Sequence, residues 1–512
     1  MRGKRYRRTL VAISCAALVA ALALVWQAQA STVLTGEKNS ARTSGSAATG
    51  PAKGGERPNI LYVLTDDLSW NLVKYMPHVR EMMKKGTTFS NFFATDSLCC
   101  PSRSSILTGE FPHNTGVYDN KGDDGGYGAF KAHGDERKCY GPRLQQAGYR
   151  TGFMGKYLNE YDPADKQGTS KPFVPRGWDE WDVAGNGYPE YNYKINENGR
   201  VERKGHKPED YLTDVISRRA TEFINKSAKS KKPFMLETAT FAPHGPSTPA
   251  PQDRKKFPGL KAPRNSAFDK ATEHAPEWQK QIRPLTAKDK QQIDDKFAKR
   301  VRSVQAVDRM IGHLENVLKD AGQADNTYLM FGSDNGFHMG EHQLRPGKMT
   351  AYDTDINVPL TVTGPGVRSG KRVPELAQNT DMNPTFQELA GLKPSSTVDG
   401  SSLAGLMHGR SPADWRKSVL VEHHHETDRK GDPDRQKQNA GDPPTYNAIR
   451  TANELYVEYS DGEREYYTPD SDPHETDNKI GSLSADRRAA LHEKLRALHH
   501  CTGEEACTKA SK

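Results

Sequence analysis

The sequence predicts an α/β fold with a large, mostly parallel central sheet covered by helices, followed by a smaller antiparallel α+β subdomain. Four continuous apolar runs predict strands buried on both faces, at residues 59–64, 233–238, 327–331 and 358–362. Helical patterns separate these runs, most clearly over residues 287–321, where apolar side chains recur at helical spacing. Strands that alternate with helices favour a parallel sheet with both faces covered.

The tail of the chain has a different pattern. Short strand-like segments lie close together at residues 418–422, 446–451, 454–459 and 464–467. Ser460-Asp461-Gly462 predicts a hairpin turn between the last two, and residues 485–499 predict a closing helix. Because antiparallel strands need only short connections, we expect an α+β subdomain over residues 401–512, after an α/β catalytic domain over residues 58–400.

The N-terminus predicts export from the cell. A basic start is followed by an apolar run over about residues 10–26 and by Ala28-Gln29-Ala30, a small-x-small cleavage site. We expect a signal peptide at residues 1–30 and a secreted protein, with an uncleaved anchor as the alternative. Residues 31–57, rich in Ser, Thr, Gly and Ala, predict a flexible linker. No later segment is long and apolar enough to span a membrane, so a polytopic protein is excluded and no stable membrane partner is expected.

Length and charge exclude other classes of protein. A chain of 512 residues can bury a substantial core, so the fold needs no disulfide or metal to hold it together. The formal net charge is +8, but five basic residues lie among the first eight positions of the expected signal peptide, which leaves +3. This small excess is evidence against binding to nucleic acid.

Two acidic pairs follow predicted buried strands. Asp66-Asp67 comes after residues 59–64, and Asp334-Asn335 comes after residues 327–331. Ligands of open α/β sheets bind at the carboxyl ends of the strands, and carboxylate and amide oxygens suit Ca²⁺ or Mg²⁺. Either pair alone is better explained by a helix cap or a turn, but two such pairs at the ends of parallel strands favour a metal site.

A short helix is predicted over residues 99–109. Pro101 near its start and Gly109 near its end place Cys99 at the helix N-terminus, where backbone N–H groups favour an anion or a nucleophile. Arg103 lies one turn further along the same side. The pattern indicates a reactive cysteine that faces an anion site, and a buried structural cysteine beside a helix cap is equally consistent with it.

The run Cys99-Cys100-Pro101-Ser102-Arg103, followed by Leu107-Thr108-Gly109, resembles the signature of type I sulfatases. In that family the first cysteine is oxidised after translation to formylglycine. The order of the other motifs is similar from about residue 58 to 363, and the tail is similar as well. Within the family the likeness is greatest to N-acetylglucosamine-6-sulfatases. The resemblance implies an alkaline-phosphatase-like fold for the larger domain.

The resemblance also implies roles for individual residues. The metal, Ca²⁺ or possibly Mg²⁺, would be held by the formylglycine (3-oxoalanine) made from Cys99 and by Asp66, Asp67, Asp334 and Asn335. Arg103 matches an arginine that steadies the aldehyde hydrate. Sulfate oxygens would be held by Lys156 and Lys348, and His244 is the candidate acid near the leaving-group oxygen. His338 either lines the substrate pocket or is structural. Leu158 stands where many sulfatases have a histidine, so the group that deprotonates the hydrate is left open.

The function implied is that of a secreted sulfatase that removes the 6-sulfate of N-acetylglucosamine-type sugars. Its expected partners are a sulfated sugar or glycosaminoglycan-type substrate and a formylglycine-generating maturation enzyme, with no nucleic acid. The alternatives are a phosphomonoester or phosphonate hydrolase of the same superfamily, and a catalytically silent protein that binds sulfated glycans.

Conversion of Cys99 would leave an even number of cysteines after the signal peptide. On that basis we expect a disulfide between Cys501 and Cys507, which also end the related chains in a similar way. A second disulfide is expected between Cys100 and Cys139.

Overall fold

Strands and helices alternate along most of the chain. The computed structural model describes residues 57–425 and 430–512, so the predicted signal peptide and all of the predicted linker except Arg57 lie outside the described residues. In chain order the strands are β1 (Asn59–Thr65), β2 (Thr87–Phe89), β3 (Phe92–Phe93), β4 (Arg150–Lys156), β5 (Glu180–Gly185), β6 (Lys194–Glu197), β7 (Arg200–Arg203), β8 (Phe234–Ala239), β9 (Thr327–Ser333), β10 (Leu360–Thr363), β11 (Lys371–Val373), β12 (Ala377–Gln378), β13 (Ser418–His423), β14 (Tyr446–Thr451), β15 (Leu455–Tyr459) and β16 (Arg464–Tyr467). The helices are α1 (Trp70–Val73), α2 (Pro77–Lys85), α3 (Cys99–Thr108), α4 (Pro112–Thr115), α5 (Gly126–Ala132), α6 (Tyr140–Gln146), α7 (Leu212–Ser230), α8 (Glu277–Lys280), α9 (Ala287–Asp320), α10 (Asp353–Ile356), α11 (Met382–Leu389), α12 (Ala404–Met407), α13 (Ala485–His499) and α14 (Glu504–Ala510).

A ten-stranded mixed sheet forms the centre of the described part of the chain, in the order β11-β2-β10-β9-β1-β8-β4-β5-β6-β7. Its five middle strands, β9 to β5 in that order, are all parallel, which confirms the predicted parallel core. The run predicted at residues 358–362 forms β10, which is antiparallel to β9. The helix in the connection between them, α10, has four residues, so this connection is not the helical crossover that usually joins parallel strands.

Both faces of the sheet are buried under helices. Ile60, Tyr62 and Leu64 of β1 pack into one core with residues of α3, α6 and α11. Leu61 and Val63 point into the opposite core, with residues of α2, α7 and α9. The 34-residue helix α9 begins with a capping box, because Thr286 accepts from the Asp289 N–H and Asp289 accepts from the Thr286 N–H. No helix among the described residues has the length and apolarity that a membrane crossing needs.

The C-terminal part forms the expected small antiparallel sheet, with β13 to β16 paired in sequence order. Helix α13 packs against it, and Cys501 and Cys507 form the predicted disulfide. The predicted Cys100–Cys139 disulfide is wrong. Both thiols are free and buried in the core, and the Cys139 thiol donates instead to the Asp135 carbonyl. All described residues belong to one compact unit, so a domain boundary near residue 400 stays a prediction.

A buried carboxylate links the small sheet to the rest of the protein. Glu422 of β13 accepts from the Nδ1 atoms of His113 and His499, both at 2.9 Å, and the Nε2 atom of His113 faces the Cys501 carbonyl at 2.9 Å. Burial alone would lower the pKa of His113, but its hydrogen bonds and charge interaction with Glu422 outweigh burial and raise it.

We expect His113→Asn to lower the free energy of unfolding by about 1–3 kcal/mol near pH 6, because it removes a charge-assisted hydrogen bond. A raised pKa stabilises the fold fully below the usual histidine value of about 6.5, and this gain is lost as pH rises through the folded pKa. The deficit of the variant should therefore shrink towards pH 8.5 in urea unfolding. His492→Asn, at an exposed ion pair, is the control, and a pH-independent deficit would contradict the expectation.

Candidate active site

The carboxyl ends of the middle strands bring the predicted site residues together. Asp66 and Asp67 follow β1, and Asp334 and Asn335 follow β9, its parallel neighbour. Lys156 is the last residue of β4. All five are buried. Because these strands run in the same direction, their ends meet at one edge of the sheet, where the sequence predicts the site.

Helix α3 presents Cys99 to this edge. The helix begins at Cys99 and ends before Gly109, which adopts φ 79° as a left-handed cap. The Cys99 thiol donates to Asp66 Oδ1 at 3.0 Å and lies 2.9 Å from Lys348 Nζ. Burial and the charges of Asp434 and Asp66 raise the pKa of Cys99 well above its usual value. The unmodified side chain is therefore a protonated thiol rather than an activated thiolate.

Buried charges pair across the site. Lys156 Nζ lies 2.6 Å from Asp66 Oδ2, Lys348 Nζ lies 2.6 Å from Asp67 Oδ1, and Arg103 Nε donates to Asp334 Oδ2 at 2.8 Å. Burial alone would raise the pKa of Asp66, but the charge of Lys156 above all outweighs it and leaves the pKa lowered. Burial raises the pKa of Asp334 to about 6 despite Arg103. The cluster thus holds opposite charges in a site that excludes water.

His244 lies beside these charges after β8. Its Nδ1 atom is 2.7 Å from the Gly245 carbonyl and its Nε2 atom is 2.6 Å from Asp434 Oδ1. Since both neighbours are acceptors, both ring nitrogens donate. Burial alone would lower the pKa of His244, but Asp434 and Asp67 raise it. The structure thus favours a protonated imidazole.

Asp434 is a site residue that no sequence pattern predicts. Its carboxylate contacts His244, lies 3.0 Å from Lys348 Nζ, and accepts from Asn120 Nδ2 at 2.7 Å. It belongs to a charged loop without apolar periodicity, so no pattern distinguished it. Arg300 was also missed, although it lies among the apolar positions of α9 that face the core. A guanidinium on a buried helix face is unusual, and that signal could have identified it.

His338 and Leu158 do not take part in the charged cluster. His338 has Nδ1 2.9 Å from Asp355 Oδ2 and Nε2 2.9 Å from the Ala440 carbonyl. Neither nitrogen is left for a substrate, so the structural alternative fits its contacts. Leu158 packs in the apolar core, so the side chain at this position cannot exchange protons.

The donor atoms fit a hard divalent cation. Ligand atoms of Asp66, Asp67 and Cys99 all lie within 4.8 Å of one another and of a ring nitrogen of His244, which carries a proton and so is not a ligand. Asn335 Nδ2 donates to Asp67 Oδ1 at 2.8 Å, whereas its Oδ1 atom is buried without a hydrogen-bond partner. An amide oxygen left over among carboxylates is a ligand that Ca²⁺ and Mg²⁺ accept.

Comparison with known proteins agrees with this geometry. Residues 58–392 match the sulfatase family, and residues 340–500 match the family described as N-sulphoglucosamine sulphohydrolase, C-terminal. The chain belongs to the sulfatase family. The N-acetylglucosamine-6-sulfatase of Capra hircus is 34% identical over 480 residues, which cover 89% of this chain and 85% of the relative. The extracellular sulfatase SULF-1 homologue of Drosophila melanogaster is 33% identical over 376 residues, 72% of this chain and 33% of the relative. The chain is therefore a sulfuric ester hydrolase.

Solved structures share the sulfatase's fold. Another protein, solved in complex with that protein's substrate D-glucosamine-2-N,6-O-disulfate, has a TM-score of 0.72 to this structure. The two are 23% identical, over 86% of this chain and 97% of the other. The phosphonate monoester hydrolase of Silicibacter pomeroyi has a TM-score of 0.64 at 21% identity, over 87% and 96%. At these identities the likeness extends to the fold alone.

Proposed function

We propose that this sulfatase is secreted and removes the 6-sulfate of N-acetylglucosamine-type units through a formylglycine made from Cys99. The observation that carries the proposal is Cys99 at the start of α3, in contact with Asp66 and Lys348. The specific substrate and secretion are supported by the names of the relatives. A maturation enzyme would be a further partner, because conversion of Cys99 to formylglycine is an oxidation that needs an external oxidant.

The residues at this site fit a formylglycine at position 99 and a divalent cation beside it. Formylglycine made from Cys99 would supply, as its hydrate, a hydroxyl nucleophile for the sulfate ester. Ca²⁺, or Mg²⁺, would be held by the formylglycine and by Asp66, Asp67, Asp334 and Asn335, and would supply positive charge beside the reacting groups.

The chain's own cations bind and orient the ester. A sulfate ester is anionic and repels nucleophiles, so its charge has to be balanced first. Lys156 and Lys348 would hold the sulfate oxygens, and both are buried within the carboxylate cluster that places them. Arg103 is fixed by Asp334 and by the Lys156 carbonyl at 3.0 Å, which places its guanidinium beside position 99.

His244 would protonate the departing sugar oxygen. The Gly245 carbonyl fixes its Nδ1–H. The Nε2–H, which Asp434 accepts in the structure, would transfer to the sugar oxygen once a bound ester takes the place of that carboxylate contact. Leu158 stands where many sulfatases have a histidine and cannot donate a proton. His244 does contact the buried carboxylates, at Asp434 and Asp67.

Asp434 favours a sulfate ester over a phosphate ester. It carries a negative charge next to Lys348 and His244, the groups that would hold the substrate's anion. A sulfate monoester has one negative charge, whereas a phosphate monoester has close to two above its second pKa of about 6. The extra charge is repelled by Asp434, which argues against the phosphomonoester alternative.

Conversion of Cys99 to formylglycine can be tested by mass and by activity. We expect the peptide from Leu98 to Arg103 of the secreted protein to have the mass of an aldehyde or its hydrate at this position. The protein should release sulfate from N-acetylglucosamine 6-sulfate at least about tenfold faster than from the 3-sulfate. Cys99→Ala should lower kcat at least about 1000-fold, whereas Cys100→Ala is the control that retains turnover. Sulfate release by protein with an intact Cys99 thiol would contradict the proposal.

The second prediction concerns the metal. Ca²⁺ at 100 times its Kd should stabilise the folded protein by about 2.7 kcal/mol relative to chelator. Asn335→Ala removes the unpartnered oxygen and should lose most of this gain in thermal unfolding. Asn316→Ala, exposed on α9, is the control. Equal stabilisation of the two variants by Ca²⁺ would count against Asn335 as a ligand.

The third prediction concerns Asp434. We expect Asp434→Asn to raise the ratio of phosphate-ester to sulfate-ester kcat/KM by about tenfold or more above pH 7, and by less below pH 6. The exposed Asp442→Asn variant should keep the wild-type ratio. If Asp434 only positions His244, both activities will fall together and the ratio will not change.

A further inference from the structure

Three cations beside the active site have no carboxylate ion pair among the described residues. Lys296 and Arg300 lie one turn apart on α9, and both pack on the ring of Phe337, at 4.6 Å and 4.3 Å from its centroid. Among the described residues, Lys296 has no hydrogen-bond acceptor or ion-pair partner. Lys437 is exposed in the loop that carries Asp434, and it lies close enough to affect the ionisation of Lys296. We call Lys296, Arg300 and Lys437 the α9 cation group.

Arg300 is the most buried of the three. It is 1% exposed, and its Nη2 atom donates to the Asp67 carbonyl, which ties it to the active site. Its Nη1 atom is buried without a partner. An unpaired buried cation costs free energy that a ring face only partly offsets, so a counter-ion from outside the chain would be stabilising.

The nearby carboxylates, Asp67 and Asp434, do not serve as counter-ions for Lys296. Asp67 and Asp434 are the acids that interact with Lys296, but Asp67 pairs with Lys348 and Asp434 pairs with both Lys348 and His244. Burial and the charge of Arg300 lower the pKa of Lys296 to about 8, as expected of a cation with too little negative charge around it.

We propose that the α9 cation group binds a second anionic group of the substrate, a sulfate or carboxylate on the same glycan as the ester being cleaved. This inference rests on the proposed function and narrows its substrate class to sugars with two or more anionic groups. Arg300 donates to the carbonyl of Asp67, whose carboxylate pairs with Lys348, so the α9 cation group adjoins a residue that would hold the ester. The second anion contributes binding and orientation and takes no part in bond breaking.

The test compares substrates with one and two anionic groups. Glucosamine 2-N,6-O-disulfate supplies a second sulfate, and a disaccharide of uronic acid and N-acetylglucosamine 6-sulfate supplies a carboxylate. N-acetylglucosamine 6-sulfate is the reference. At low salt we expect kcat/KM for at least one two-anion substrate to exceed the reference by about tenfold or more, and the preference to fall as salt is added. The two-anion substrate that is cleaved faster than the reference shows whether the second anion is a sulfate or a carboxylate.

Lys296→Met keeps an apolar chain on Phe337 and removes the charge, so it should abolish most of the preference. Lys437→Met should reduce it, whereas Lys299→Met, exposed on the same helix, should leave it unchanged. A wild-type enzyme without preference, or a preference that survives both Lys296→Met and Lys437→Met, would overturn the inference.

A binding measurement separates this inference from the proposed function. Calorimetry with the Cys99→Ala protein, with and without Lys296→Met, measures affinity for the same three sugars without turnover. Tighter binding of a two-anion sugar that depends on Lys296 supports the α9 cation group even if no sulfate is released. Equal affinity for all three sugars overturns it even if the enzyme is active.

Discussion

The balance of buried charge at the carboxyl ends of the parallel strands is the constraint on which the rest of the structure depends. Asp66, Asp67 and Asp334 are buried beside Lys156, Lys348 and Arg103, and no charge in this set can be tolerated without its partner. The sheet order satisfies this requirement, since it places β9, β1, β8 and β4 side by side. Helix α3 then has to pack where Cys99 meets both signs of charge.

Local patterns were sufficient to predict the parts that local physics determines. The apolar runs identify β1, β8 and β9, because strands covered on both faces have no polar side to interrupt them. The Pro101 and Gly109 signals identify α3 with Cys99 as its first residue. Strand ends place the two acidic pairs together. Lys156, His244 and Lys348 came from family resemblance, since a single lysine or histidine in a loop has no periodicity to reveal it.

The features that were missed or wrong depend on long-range packing. The direction of β10 depends on how the chain between β9 and β10 folds, which an apolar run does not encode. Asp434 reaches His244 across 190 residues of sequence. Cys100 and Cys139 were paired by counting, but each thiol is buried in the core without the other. The contacts of His338 with Asp355 and Ala440 could not be inferred from its place after a catalytic-type loop.

The contact between Asp434 and the pair Lys348 and His244 also constrains how this sequence can change over evolution. The three residues come from distant parts of the chain, yet one carboxylate neutralises both cations. Loss of Asp434 leaves Lys348 and His244 to share Asp67, so compensation at the two cations favours that step. Positions 244, 348 and 434 should therefore covary among homologues, and grafting a foreign loop over residues 430–442 should fail unless its acid is retained.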